Sequence, residues 1–138
     1  MVYDSSCSRG ERPPCRHSTY EFAENVIKYK KVAKNLPSSK LALGVPFYAR
    51  DMYNGSPETY NEIVKRTPSL TPSMDEVGTL YFNGQETIKR KTKLAYNKGL
   101  GGIMIWEMGQ DTHPDNKLSL ISAITEALKE VTPQKDEL

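Results

Sequence analysis

GLGGIMIWEMGQD, residues 99–111, is the stretch whose reading decides the fold. Three glycines lead into the apolar run Ile103-Met104-Ile105, which ends in Trp106, the chain's single tryptophan. A glycine turn followed by residues apolar on both faces is the pattern of a strand buried between helix layers in a parallel sheet. A tryptophan at the exit of such a strand either fills core or offers a flat apolar floor to a ligand.

Strands and helices alternate on both sides of this run. Upstream, Lys40-Leu41-Ala42-Leu43-Gly44-Val45-Pro46-Phe47-Tyr48 repeats the two-faced apolar pattern. Before it, Ser18-Thr19-Tyr20-Glu21 reads as a capping box with Ser18 as the cap. Phe22, Ala23, Val26, Ile27 and Ala33 then mark one face of a helix ending before Pro37. Residues 50–80 are rich in turn formers, with Ser56-Pro57-Glu58 expected to open a short helix. Leu80-Tyr81-Phe82 reads as a short strand. Asn83 is expected to cap a further helix, with Glu86 three residues on and Gly99 closing it. Its basic run Lys89-Arg90-Lys91 and Lys93 reads as a wet face. A last amphipathic helix carries Leu120, Ile121, Ile124, Ala127, Leu128 and Val131, with its start expected near Asp115. The order predicts βαβ units with parallel strands, an α/β fold.

Composition narrows the function. The chain has 138 residues, enough for one ordinary domain, with 37% hydrophobic and 26% charged residues, the balance of a globular class. Its 19 basic and 17 acidic side chains leave +2, no electrostatic case for nucleic acid or an anionic membrane. No apolar run approaches the ~20 residues a membrane helix needs. MVYDSS has neither the basic start nor the apolar core of a signal peptide. Lys135-Asp136-Glu137-Leu138, which ends the tail 133–138, is a retention address for the endoplasmic reticulum. The two ends therefore point to different compartments, as expected of a chain whose upstream part is missing. Cys7 and Cys15 would close a small loop as a disulfide in an oxidising lumen and stay thiols in the cytosol. With one nearby histidine, His17, they make no zinc site, and neither metal nor cofactor is expected. Asn54-Gly55-Ser56 is a glycosylation sequon weakened by Pro57.

Three motifs together carry a family resemblance. Met1-Val2-Tyr3-Asp4 resembles the M-x-Y-D that ends the sixth barrel strand of family-18 glycoside hydrolases, the chitinases and their relatives. Gly44-Val45-Pro46-Phe47-Tyr48-Ala49-Arg50 is similar to the seventh strand, G-x-P-x-Y-x-R. Residues 99–106 are similar to the turn and eighth strand, G-x-G-G-x-x-x-W. The resemblance implies a partial (β/α)₈ barrel, about the last three βα units, over residues 1–132 with a short insert after the seventh strand. In that frame Val45, Phe47, Ile103 and Ile105 are expected on the inner faces of the strands. The sixth and eighth strands would carry unpaired edges, open to self-association.

The resemblance also implies a substrate, β-1,4-linked N-acetylglucosamine as in chitin. In the family the sugar's own acetamido oxygen attacks the anomeric carbon, assisted by an acid at the end of D-x-x-D-x-D-x-E. That motif is absent here. Asp75-Glu76, Asp111 and Asp115 do not fit it, so no residue is expected to be catalytic and the chain alone should not hydrolyse chitin. Position by position, Trp106 would form the floor under a sugar, Tyr3 would donate to its acetamido oxygen with Asp4 hydrogen-bonding nearby, and Tyr48 and Arg50 would line the same cleft. Glu107, next along the strand, is expected to point away and to be structural. The parent is then a hydrolase, a lectin-type protein that keeps the cleft without the acid, or a remnant with no folded function.

Overall fold

Two sheets organise the chain, and the computed structural model describes them within residue 3 and residues 12–132. β1 (Ala42–Pro46) and β6 (Gly102–Trp106) pair in parallel, from Ala42 opposite Gly102 to Pro46 opposite Trp106. Parallel neighbours need a long crossover, and here it contains the second sheet and α3 (Gln85–Asn97). That second sheet is antiparallel, in the order β3 (Pro57–Thr59), β2 (Tyr48–Asp51), β5 (Leu80–Tyr81), β4 (Glu76–Val77). α2 (Tyr60–Arg66) follows β3, α1 (Tyr20–Val32) precedes β1, and α4 (Leu120–Val131) follows β6.

Side chains alternate across a strand, and the burial of β1 and β6 follows that rule. Val45 and Phe47 are fully buried with Ile88 of α3 and Leu120, Ala123 and Ile124 of α4, and Ile103 and Ile105 pack against the same cluster. Leu43 joins Ala23 and Ile27 of α1 with Leu94 and Ala95 of α3 in a second cluster. The expectation that Val45, Phe47, Ile103 and Ile105 line an inner wall is therefore corrected: they face the helices. Met104 and Trp106, on the alternate positions, face the other way.

Two glycines hold the turn before β6. Gly99 has φ +64°, the left-handed region that favours glycine, and its N–H bonds the Tyr96 carbonyl as α3 ends. Gly101 donates to the Leu41 carbonyl at 2.8 Å, and a Cβ there would collide with the Ser39 carbonyl.

Helix starts depart from the expectations in four places. Thr19, not Ser18, caps α1 by accepting from Phe22 N–H at 3.1 Å. Ser56-Pro57-Glu58 opens no helix: Pro57–Thr59 is strand, and Thr59 with Glu62 forms a reciprocal capping box for α2. Gly84 precedes α3, and Asn83 is instead buried against Ser18 and Lys91. α4 begins at Leu120 rather than near Asp115, capped by Ser119. Asp111 fixes that start, accepting from Leu120 N–H and Ile121 N–H and from the Ser119 hydroxyl. Asp75 serves α3 likewise, accepting from Gly84 N–H and the Thr87 hydroxyl.

The basic run of α3 is not a uniform wet face. Lys89 and Lys93 reach across to Glu126 and Glu130 of α4, each at 2.5 Å. Arg90 lies 4.0 Å above the Tyr20 ring. Lys91 is fully buried, and this burial pushes its pKa down to about 7, with Asp75 and then Glu21 pulling the other way.

Candidate functional site

The end of β6 and the start of β2 build one open cleft. β1 runs into β2 through Phe47, whose N–H bonds the Trp106 carbonyl at 2.9 Å and whose carbonyl receives Tyr60 N–H at 3.1 Å. That junction brings the two sheets together, so Trp106 from one and Tyr48 and Arg50 from the other line the same space of about 270 Å³. The volume falls just below the ~300–1,000 Å³ typical of ligand sites. Trp106 is 54% exposed, far too open for a core residue. This ring is surface, not filling.

The opposite wall comes from the insert, through Pro57, Glu58, Thr59 and Glu62, with Gln110 from the short helical turn Met108–Gln110. Arg66 grips Glu58 with two hydrogen bonds, at 2.5 and 3.1 Å. The Thr59 hydroxyl and N–H both donate to the Glu62 carboxylate and hold its pKa below the usual range. That wall thus presents two carboxylates, Glu58 and Glu62, to the same space as the Arg50 guanidinium. Arg50 lies 5.6 Å over the Tyr48 ring and donates to the Gly55 carbonyl at 2.9 Å. Gln110 Oε1 is buried with no hydrogen-bond partner among the described residues.

Of the five site residues expected from sequence, three line this cleft: Tyr48, Arg50 and Trp106. Tyr3 packs edge-on against Tyr48, ring centroids 6.1 Å apart, and its hydroxyl contacts Met104 Sδ at 3.9 Å. It therefore stands behind Tyr48 and on the Trp106 face of β6. Asp4 lies outside the described residues, as do Cys7 and the 133–138 tail. Cys15 is disulfide-bonded, the oxidised of the two alternatives. Glu107 is exposed and does not line the cleft. Among the described residues, no group of three or more His, Cys, Asp or Glu is placed to hold a metal ion.

Sequence reading missed the insert wall and the buried His17, which stacks on Tyr48 at 5.5 Å with 23° between the rings. One signal was present: Thr59-Tyr60-Asn61-Glu62 has the spacing of a capping box. The cleft as built can do two things chemically. It can seat an apolar ring face on Trp106, and it can exchange hydrogen bonds with neutral hydroxyl or amide groups through Arg50, Glu58 and Glu62.

Comparison with known proteins gives a consistent pattern. The family model for glycosyl hydrolases family 18 matches residues 1–111. Chitinase 63 of Streptomyces plicatus is 29% identical over 135 residues, covering 80% of this chain and 21% of its own length. The crystal structure of the GH18 chitinase ChiB from the chitin utilization locus of Flavobacterium johnsoniae superposes with TM-score 0.80 at 36% identity, covering 94% of this chain and 41% of that one. A chitinase from Bacteroides thetaiotaomicron gives TM-score 0.82 at 28% identity, covering 95% and 44%. The chain thus spans less than half the length of each of these relatives.

Proposed function

The chain belongs to family 18 of the glycosyl hydrolases, and on that premise we propose that its cleft binds N-acetylglucosamine units of chitin or of chitooligosaccharides. The observation that carries this reading is Trp106, more than half exposed at a strand end and sharing one cleft with Tyr48 and Arg50. A pyranose C–H face packs on an indole while the ring hydroxyls stay free to hydrogen-bond. Arg50 donates to such hydroxyls, and Glu58 and Glu62 accept from them. On this reading β1 and β6 would take the places of the seventh and eighth barrel strands, with the segment before them matching the end of the sixth. Tyr3 would then donate a hydrogen bond from its phenol to the acetamido oxygen, aiming that oxygen at the anomeric carbon, with Asp4 hydrogen-bonding nearby.

In the whole protein the reaction is substrate-assisted hydrolysis with retention. An acid protonates the glycosidic oxygen, the acetamido oxygen displaces the leaving sugar, and water opens the resulting ring. These 138 residues hold the binding half of that scheme and no D-x-x-D-x-D-x-E acid. A lectin-type protein that binds without turnover is the second reading, and the residue at the acid position of the whole protein decides between the two. Residence in the endoplasmic reticulum is part of the proposal, supported by the terminal KDEL and the disulfide at Cys15.

The test is a calorimetric titration of the chain with chitotetraose, followed in parallel by the fluorescence of its single tryptophan. Saturable binding of chitotetraose, with cellotetraose (no acetamido group) bound at least tenfold more weakly, is the expected result. Equal affinity for the two sugars, or none for either, overturns the reading. A fluorogenic chitobioside should not be turned over by this chain.

A further inference from the structure

Lys91 is the buried titratable group that the cleft leaves unexplained. Its side chain is wholly inaccessible, and among the described residues no carboxylate is a hydrogen-bond partner. A lysine in such a place is expensive, and a methionine would fill the same space without a polar head. Its Nζ donates to the Ser18 carbonyl at 2.5 Å, to the Ser18 hydroxyl at 2.8 Å and to Asn83 Oδ1 at 2.7 Å. Asn83 Nδ2 donates to the same Ser18 carbonyl at 3.0 Å. Two side chains of the α3 region thus close on one backbone carbonyl. Ser18 needs that grip: its φ of 58° lies in the left-handed region, which costs a non-glycine residue free energy.

Ser18 ends a strap, residues 15–18, that has no helical or strand structure and crosses the insert. Cys15 N–H bonds the Met52 carbonyl at 2.9 Å, Arg16 pairs with Glu76, and His17 Nε2 donates to the Tyr81 carbonyl at 3.0 Å. The strap's inward product is the His17 ring, stacked behind Tyr48. Tyr48 in turn is a wall of the cleft.

We propose that Lys91, together with Asn83, is a positioning residue for the cleft: by gripping Ser18 it holds His17 as the backing on which Tyr48 presents its ring to the sugar. The proposal rests on the saccharide reading of that cleft. The grip is available in either protonation state. An ammonium donates to all three acceptors, whereas the neutral amine donates to the Ser18 carbonyl and Asn83 Oδ1 and accepts from the Ser18 hydroxyl. Asp75 and Glu21 supply the surrounding charge.

The experiment uses the full chain with ¹³C-labelled histidine. The chain has two histidines, and the other, His113, is exposed. In the wild type the His17 ring proton should resonate upfield, shielded by Tyr48. In Lys91→Met it should move toward the His113 position while amide exchange in α4 stays unchanged, and the Kd for chitotetraose should rise about tenfold, a loss of ~1.4 kcal/mol. If Lys91→Met does not fold, Ser18→Ala removes one partner of the grip and should give a smaller His17 shift with a roughly threefold rise in Kd. An unmoved His17 signal in the folded variant overturns the proposal, as does a moved signal with unchanged Kd. Should the wild type bind no chitotetraose while His17 still moves in Lys91→Met, the grip on the strap stands and the sugar reading falls.

Discussion

The parallel pair β1 and β6 and the insert between them, residues 48–82, meet at one cleft but are built by different means. The pair is held by five registered positions and by alternate residues that bury Leu43, Val45, Ile103 and Ile105 against helices. The insert has strands of two to four residues, and single side chains shape its bends. The Asp51 carboxylate alone accepts from Tyr53 N–H, Asn54 N–H and the Thr79 hydroxyl, which hold its pKa low. The difference teaches that periodic apolar faces make the frame here, whereas isolated polar contacts place the walls of the cleft.

Phe47 joins the two regions, fully buried in a cluster drawn from both. Phe47→Ala is the largest break on offer, an expected loss of about 3–5 kcal/mol by cavity formation. Chemical denaturation followed both by far-UV dichroism and by Trp106 fluorescence checks it. A common shift of both probes is expected. Separate transitions would show that frame and insert do not share one core.

Legibility followed the same divide. The bounds of β6, the glycine turn before it and the apolar face of α4 stand in periodicity, because each repeats over several residues. Of the insert's sheet only the short strand at Leu80-Tyr81 was legible, because a strand of two or three residues has almost no period to read. Asparagine at a helix start usually caps it, but the Asn83 amide serves a loop 65 residues away, a partner that local sequence cannot reveal. Lys91 carried a readable signal hidden by its neighbours. It is three residues from Ile88 and four from Ala95, both buried, and so shares their helix face. In the cleft, Tyr48, Arg50 and Trp106 were legible through strand motifs, and Glu58 and Glu62 were not.

A pH series sharpens the contrast between buried and exposed charge. The folded-state pKa of Lys91, about 7, lies below the 10.5 of a free lysine. Between those values the unfolded chain holds the proton and the folded chain does not, so stability rises with pH there. The slope is at most about 1.4 kcal/mol per pH unit, and it vanishes below pH 7, where both states are protonated. Thermal unfolding of the wild type and Lys91→Met at pH 7, 8 and 9 should show a rising difference that the variant abolishes. Parallel curves would place the lysine's proton outside this window.

Trp106→Ala separates site from frame. The ring is more than half exposed, so its loss should barely change the denaturation midpoint while weakening chitotetraose binding by about 1–3 kcal/mol. Calorimetry and denaturation on the same preparation check both halves. A drop in stability as large as the drop in affinity would return Trp106 to the core.

The smallest effect belongs to the two neighbours of Lys91 on α3. Lys89 and Lys93 pair with Glu126 and Glu130 of α4, but both pairs keep substantial solvent access. Water and salt screen such pairs, and ordering two long side chains offsets much of the attraction. A double-mutant cycle on Lys93 and Glu130 should therefore return only about 0.2–1 kcal/mol, falling further in high salt. The α3–α4 contact does not depend on it, because Ile88 and Ile124 already lie together in the buried cluster beneath. A coupling above about 2 kcal/mol that persists in molar salt would mean the pair is desolvated. In that case the helix–helix face would have to be counted with the insert, as a surface set by polar contacts rather than by its apolar stripe.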